Sequence, residues 1–201
     1  SGFYWDDAFF SVQIPALRLN HISIWRQTWD EIVHYVSRGR INPFATFQFL
    51  SFYLLTDEHM YKAFLILLTA ASSWSFWIMI RTIFNDARRS LLLLLLLPLC
   101  FQLRLYHDPL TSYYGLMQML LLEFCSSMTL FILGLRESRK SFQIWSIVLF
   151  TVGLLSYEMF YPLAALFPLA AWYERGNLRD AIRAAGAHIL AAMLLFALSV
   201  G

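Results

Sequence analysis

Residues 110–135 read LTSYYGLMQMLLLEFCSSMTLFILGL, 26 positions with a single charged side chain, Glu123. A bilayer's hydrocarbon is crossed by about 20 apolar residues in helical form. Inside it only a helix satisfies its own backbone N–H and C=O groups within one segment. This stretch therefore reads as a transmembrane helix. Similar apolar runs flank it, at 59–81, 90–106, 142–173 and from 184 to the last residue, 201. The chain is 59% hydrophobic and 14% charged, whereas a soluble domain carries roughly a quarter charged residues. We therefore expect an all-α fold: a polytopic transmembrane helical bundle.

The connections are short and differ in charge. Arg81, Arg88 and Arg89 stand against Asp86 alone, and Arg136, Arg139 and Lys140 follow the 110–135 run. The excess of cations predicts that both loops face the cytoplasm, with the loop at His107 and the whole N-terminal region on the other side. Arg175, Arg179 and Arg183 also read as cytoplasmic, which requires an even number of crossings between 142 and 173. We thus divide that run into 142–156 and 159–173, turning at Ser156, Tyr157 and Glu158, although a single tilted helix also accommodates the length. The expected organisation is an external loop over 1–58 and a bundle over 59–201 with spans 59–81, 90–106, 110–135, 142–156, 159–173 and 184–201. The chain starts without Met and stops within an apolar run, so it is expected to belong to a longer protein with a further span before it and more chain after it.

Within the first 58 residues, Ile22, Trp25, Trp29, Ile32 and Val36 recur at helical spacing, with Arg26, Asp30, Glu31, His34 and Arg38 on the other faces. That pattern predicts an amphipathic helix lying in the headgroup region. Asn42 and Pro43 open a second aromatic segment through Phe44, Phe47, Phe49, Phe52 and Tyr53, closed by Thr56, Asp57 and Glu58. It is too short for a confident crossing and reads as a second surface-lying helix.

Asp6 and Asp7 precede both. Two carboxylates beside Tyr4 and Trp5, at the edge of a membrane, are suited to act as a general base or to hold a divalent ion, with the rings stacking on a sugar. Capping of a short helix from Ala8 is the plainer alternative and needs one acid, not two. Asp108 before Pro109 has the form of an N-cap as much as of a site residue, while Arg104 and His107 beside it could hold a phosphate oxygen or simply reach the interface. Tyr157 and Glu158 interrupt an apolar run, where an unpaired carboxylate costs a few kcal/mol, so a wet cavity is expected there. Arg38, Gly39 and Arg40 suit a phosphate or anionic headgroups equally. Glu123, flanked by Gln118, Ser126 and Ser127, reads first as an interhelical polar contact. Cys100 and Cys125 read as buried free thiols. A net charge of +2 with no basic aromatic patch speaks against nucleic acid as a partner, and no phosphate-loop, zinc-protease or hydrolase-elbow motif occurs.

Asp6-Asp7 in a first external loop, followed by two surface-lying helices and a series of spans, resembles the GT-C class of integral membrane glycosyltransferases. The run Arg38, Gly39, Arg40, Ile41, Asn42, Pro43 is similar to a segment of bacterial members, as are His107, Asp108, Pro109 and Ser156, Tyr157, Glu158. The resemblance implies an enzyme of the bacterial plasma membrane that moves a sugar from a polyprenyl-phosphate donor to a lipid, glycan or protein acceptor at the outer face, in cell-envelope glycan assembly. It implies Asp6 or Asp7 as the base, with inversion at the anomeric carbon, and Tyr4, Trp5, Arg40, Arg104, His107, Asp108, Tyr157 and Glu158 around the substrate. No certain cofactor follows, and a divalent metal on Asp6 and Asp7 stays open. The competing readings are a secondary transporter working through Glu123 and Glu158, and a non-catalytic membrane scaffold.

Overall fold

The computed structural model describes residues 15–16, 19–37, 54, 58–100, 115–157 and 160–200. The helices run α1 Ile24–Ser37, α2 Glu58–Phe84, α3 Ala87–Cys100, α4 Leu116–Arg136, α5 Lys140–Ser156, α6 Phe160–Leu163, α7 Leu166–Arg175 and α8 Leu178–Val200, and among the described residues there is no strand. Three of them, over His59–Phe84, Leu116–Arg136 and Leu178–Leu198, are long and apolar enough to cross a membrane. The chain is thus an all-α membrane bundle.

α4 is the central element and packs on α2, α5 and α7, while α8 packs on α5 and α7. Its buried face carries Leu120, Phe124, Met128, Phe131 and Ile132, whereas Ile66 and Leu67 of α2 face outward. Lipid tails are as apolar as leucine, so burial alone gives helices little reason to associate, and close packing by small residues takes over. α8 meets that requirement with Ala181, Ala185 and Ala192, all buried on one face. Gly134 does so between α4 and α5, where an added Cβ would stand 2.8 Å from Gln143 Cγ.

Local chemistry sets the helix ends. Asn85 takes φ 49° after α2, and Asp86 Oδ1 accepts the N–H groups of Arg88 at 2.9 Å and Arg89 at 3.3 Å, so the lone acid of the basic loop is the N-cap of α3. Gly176, at φ 68°, closes α7, and Asn177 Oδ1 accepts the Arg179 N–H at 2.9 Å to open α8. Consequently α8 starts at Leu178, six residues before the expected 184, and Arg179 and Arg183 lie on its first two turns, not in a loop. Likewise α2 extends to Phe84, beyond the expected 81. α3 is described only to Cys100, and the remainder of the 90–106 run lies outside the described residues.

The 159–173 segment is not one helix. α6 stops at Leu163 and α7 restarts at Leu166, bridged by short-range bonds from Ala164 N to Tyr161 O at 3.2 Å and from Ala165 N to Pro162 O at 3.2 Å. Pro168 is the reason: it has no N–H for the Ala164 carbonyl, and its ring collides with that carbonyl. α5 ends at Ser156, and Tyr157 is extended, at φ −154° and ψ 133°.

At the basic end, Arg136 of α4 forms a two-pronged ion pair with Glu174 of α7, Nε donating to Oε2 at 2.9 Å and Nη2 to Oε1, while Nη2 also donates to the Ile83 carbonyl of α2 at 3.4 Å. Phe84 and Tyr173 meet edge to face beside it. One guanidinium therefore joins the ends of three helices.

α1 has three distinct sides. Ile24 and Thr28 are buried, whereas Trp25 and Trp29 are 70% and 64% exposed, with Val33 and Val36 continuing their stripe. Arg26, Asp30 and His34 occupy the remaining side, and all three are exposed. The second surface-lying helix expected over 42–53 lies outside the described residues.

Candidate functional site

Of the residues the sequence singles out, Tyr4, Trp5, Asp6, Asp7, Arg40, Arg104, His107, Asp108 and Glu158 lie outside the described residues. Tyr157 is described: it is half-buried, its N–H donates to the Gly153 carbonyl at 3.0 Å, and its own carbonyl accepts from Phe160 N at 3.1 Å. Its backbone therefore links α5 to α6 across the break.

The described residues do bring together a polar layer within the bundle. Ser75 of α2 lies 3.2 Å from Ser126 of α4, hydroxyl to hydroxyl. One position on, Ser127 Oγ donates to the Ser146 carbonyl of α5 at 2.7 Å, and Ser146 Oγ lies 3.2 Å from Ser127 Oγ and 2.8 Å from His188 Nε2 of α8. Adjacent residues of a helix point about 100° apart, which is why Ser126 reaches α2 and Ser127 reaches α5. The interhelical contact expected around Glu123 is thus made by the serines. Glu123, three and four residues from them, shares their face, and its buried Oε2 has no hydrogen-bond partner among the described residues.

His188 carries no motif, and its position in sequence, between Ala187 and Ile189, gives no sign of chemistry. It is fully buried, its ring stacked on Phe167 at 4.0 Å and 21° and edge-on to Phe131 at 5.0 Å. The hydrogen-bond chain fixes its tautomer. Ser127 uses its proton on the Ser146 carbonyl, so Ser146 can give its own to Ser127 Oγ and receive one from His188 Nε2–H. Nδ1 is then a bare acceptor, without a partner among the described residues. The opposite assignment would leave a buried N–H without an acceptor, the costlier orphan. What sequence could have offered is periodicity: Ala181, Ala185, His188 and Ala192 fall on one helical stripe.

Two stability predictions follow from this cage. Phe167→Ala opens a void on the order of 100 Å³, which at about 24 cal/mol per Å³ costs about 2–3 kcal/mol. The transfer contribution a soluble core would add is missing in lipid. Unfolding by a denaturing detergent should show that loss. His188→Phe keeps the stacked ring and removes one interhelical bond worth about 0.6 kcal/mol, so the same assay should register a change of under about 1 kcal/mol.

Among the described residues no group of three His, Cys, Asp or Glu side chains could hold a metal ion, and Cys125 is a buried free thiol. No protein-family model, no curated protein and no solved structure matches this chain.

Proposed function

We propose that the protein is a membrane glycosyltransferase of GT-C type, moving a sugar from a polyprenyl-phosphate donor to a lipid, glycan or protein acceptor at the outer face of a bacterial plasma membrane. The observation that carries the reading is the Asp6-Asp7 pair placed just ahead of α1, whose tryptophan side suits the headgroup region. An all-α bundle in the membrane is compatible with such chemistry, because the polyprenyl carrier stays in the bilayer while the sugar is exchanged at its edge. In this reading one aspartate takes the acceptor hydroxyl's proton as the oxygen attacks the anomeric carbon, the C–O bond to phosphate breaks, and the phosphate leaves with the electron pair. Arg40 or Arg104 would steady that charge. The test is transfer from a labelled polyprenyl-phosphate sugar by the full-length protein, comparing Asp6→Asn and Asp7→Asn with wild type. Undiminished turnover in both variants would remove the role.

A second reading is favoured by one observation. Glu123 and His188 place a carboxylate oxygen and an imidazole nitrogen inside the bundle, each without a partner among the described residues, and such residues often mark proton-coupled transport. Solute uptake into proteoliposomes that is driven by a proton gradient and lost in Glu123→Gln would support it, and its absence would leave the transferase alone.

A further inference from the structure

α4 begins at the end of the bundle away from the basic loops, and among the described residues nothing caps it. Its N-cap is Gly115, at φ 68°, and no side chain among the described residues caps the first turn. The leading N–H groups of a helix have no acceptor within it, and together with the helix dipole they favour an anion.

An uncapped turn alone does not make a site, but Gln118 adds an independent observation. It is 0% exposed, and neither Oε1 nor Nε2 has a hydrogen-bond partner among the described residues. Oε1 lies 3.9 Å from where a Cβ on Gly115 would stand, behind the Leu68 and Leu65 methyls at 2.7 and 3.0 Å, so the carboxamide folds back toward the bare turn, and a half-turn of the amide brings the donor Nε2 to that place. Glutamine at this third helical position ordinarily completes a capping box by accepting the N-cap N–H. That bond is not made here. Both polar atoms of a buried amide are left idle, an unfavourable state that a ligand with strong acceptor oxygens would relieve.

We propose that the first turn of α4 binds a phosphate, with Gln118 Nε2 and the N–H groups of Leu116 and Met117 donating to its oxygens. A phosphate offers several acceptors to donors that converge from different directions, which a single carboxylate oxygen cannot do. The source we assign is a polyprenyl phosphate. That part rests on the transferase reading, whereas the phosphate site itself does not.

The experiment uses the full-length protein in nanodiscs of zwitterionic lipid, titrated with sugar-free polyprenyl phosphate or with inorganic phosphate, and in parallel in nanodiscs containing anionic phospholipid. Gln118→Leu should weaken polyprenyl phosphate binding by about tenfold, the loss of one good hydrogen bond to a charged group. Its ligand-free melting temperature should hold or rise, because two idle polar atoms are removed. Gln118→Glu, with a carboxylate where the phosphate sits, should abolish binding. The same Gln118 dependence seen with inorganic phosphate or with anionic phospholipid, and not with polyprenyl phosphate, would support the site and overturn the assigned source. Equal affinity in wild type and both variants, or no binding of any of the three probes, overturns the site. A Gln118→Glu protein that melts higher with affinity intact would make Gln118 a helix cap and would likewise end the proposal. Sugar transfer with an unchanged donor KM in Gln118→Leu sinks the donor-phosphate site and leaves the transferase standing. Gln118-dependent phosphate binding in a protein whose Asp6 and Asp7 prove dispensable does the reverse.

Discussion

Gly153→Leu is expected to prevent α5 and α6 from packing, with a loss of at least about 3 kcal/mol, beyond the usual range for an overfilled core. Even a single Cβ there would stand 2.0 Å from Phe160 Cε1, 2.3 Å from Cδ1 and 2.6 Å from Cζ. Phe160 is 2% exposed and its ring is edge-on to Phe124 at 6.2 Å and beside Phe150 at 6.0 Å, so it has no space into which to withdraw. Gly153→Ala gains about 1 kcal/mol of helix propensity and should still lose stability, since the overlap costs more than that gain. Gly153→Ala combined with Phe160→Leu should recover part of the loss, and a double-mutant cycle in denaturing detergent measures the coupling. If Gly153→Leu unfolds like wild type, Phe160 does not pack on α5.

If the proposed sugar transfer is the function, exchanging its base in the acidic pair for asparagine is expected to lower turnover about 100- to 10,000-fold, the usual contribution of a positioned general base. Asn keeps the shape and a hydrogen-bonding oxygen but cannot accept the acceptor hydroxyl's proton. Asp6→Asn and Asp7→Asn should therefore differ, the larger loss identifying the base. The double variant should be little worse than that single one, because groups acting on one proton are not additive. Equal, severe losses that extra divalent cation repairs would instead assign both carboxylates to a metal.

The helical membrane architecture was legible because lipid removes the alternatives: a run such as 110–135 with one charge can only be a helix there. The end of α5 was legible because polar residues interrupt the apolar run at Ser156, and other ends were missed because counting apolar residues passes over prolines and caps. The break at Ala164 and Ala165 follows from Pro168, whose missing N–H and ring act on the carbonyl four residues back, a rule that the division of 142–173 into two runs did not apply. Asn177 opening α8 six residues early is a cap that apolar counting overlooks. The polar layer was half legible. Ser126, Ser127 and Gln118 stood out around Glu123, yet His188 did not, since its partner Ser146 is 42 residues away in sequence. The aspartates stood out by charge alone.

The clamp at the basic end has a bearing on how the chain is assembled. Arg136 and Glu174 are 38 residues apart, so at about 5–20 residues per second the guanidinium waits about 2–8 s on the ribosome before its carboxylate exists. Until then Arg136 holds α2 to α4 at that end only through the weak Ile83 carbonyl contact. The contact between the ends of α2 and α4 is thus incomplete during synthesis, and arrival of α7 is the event that completes it.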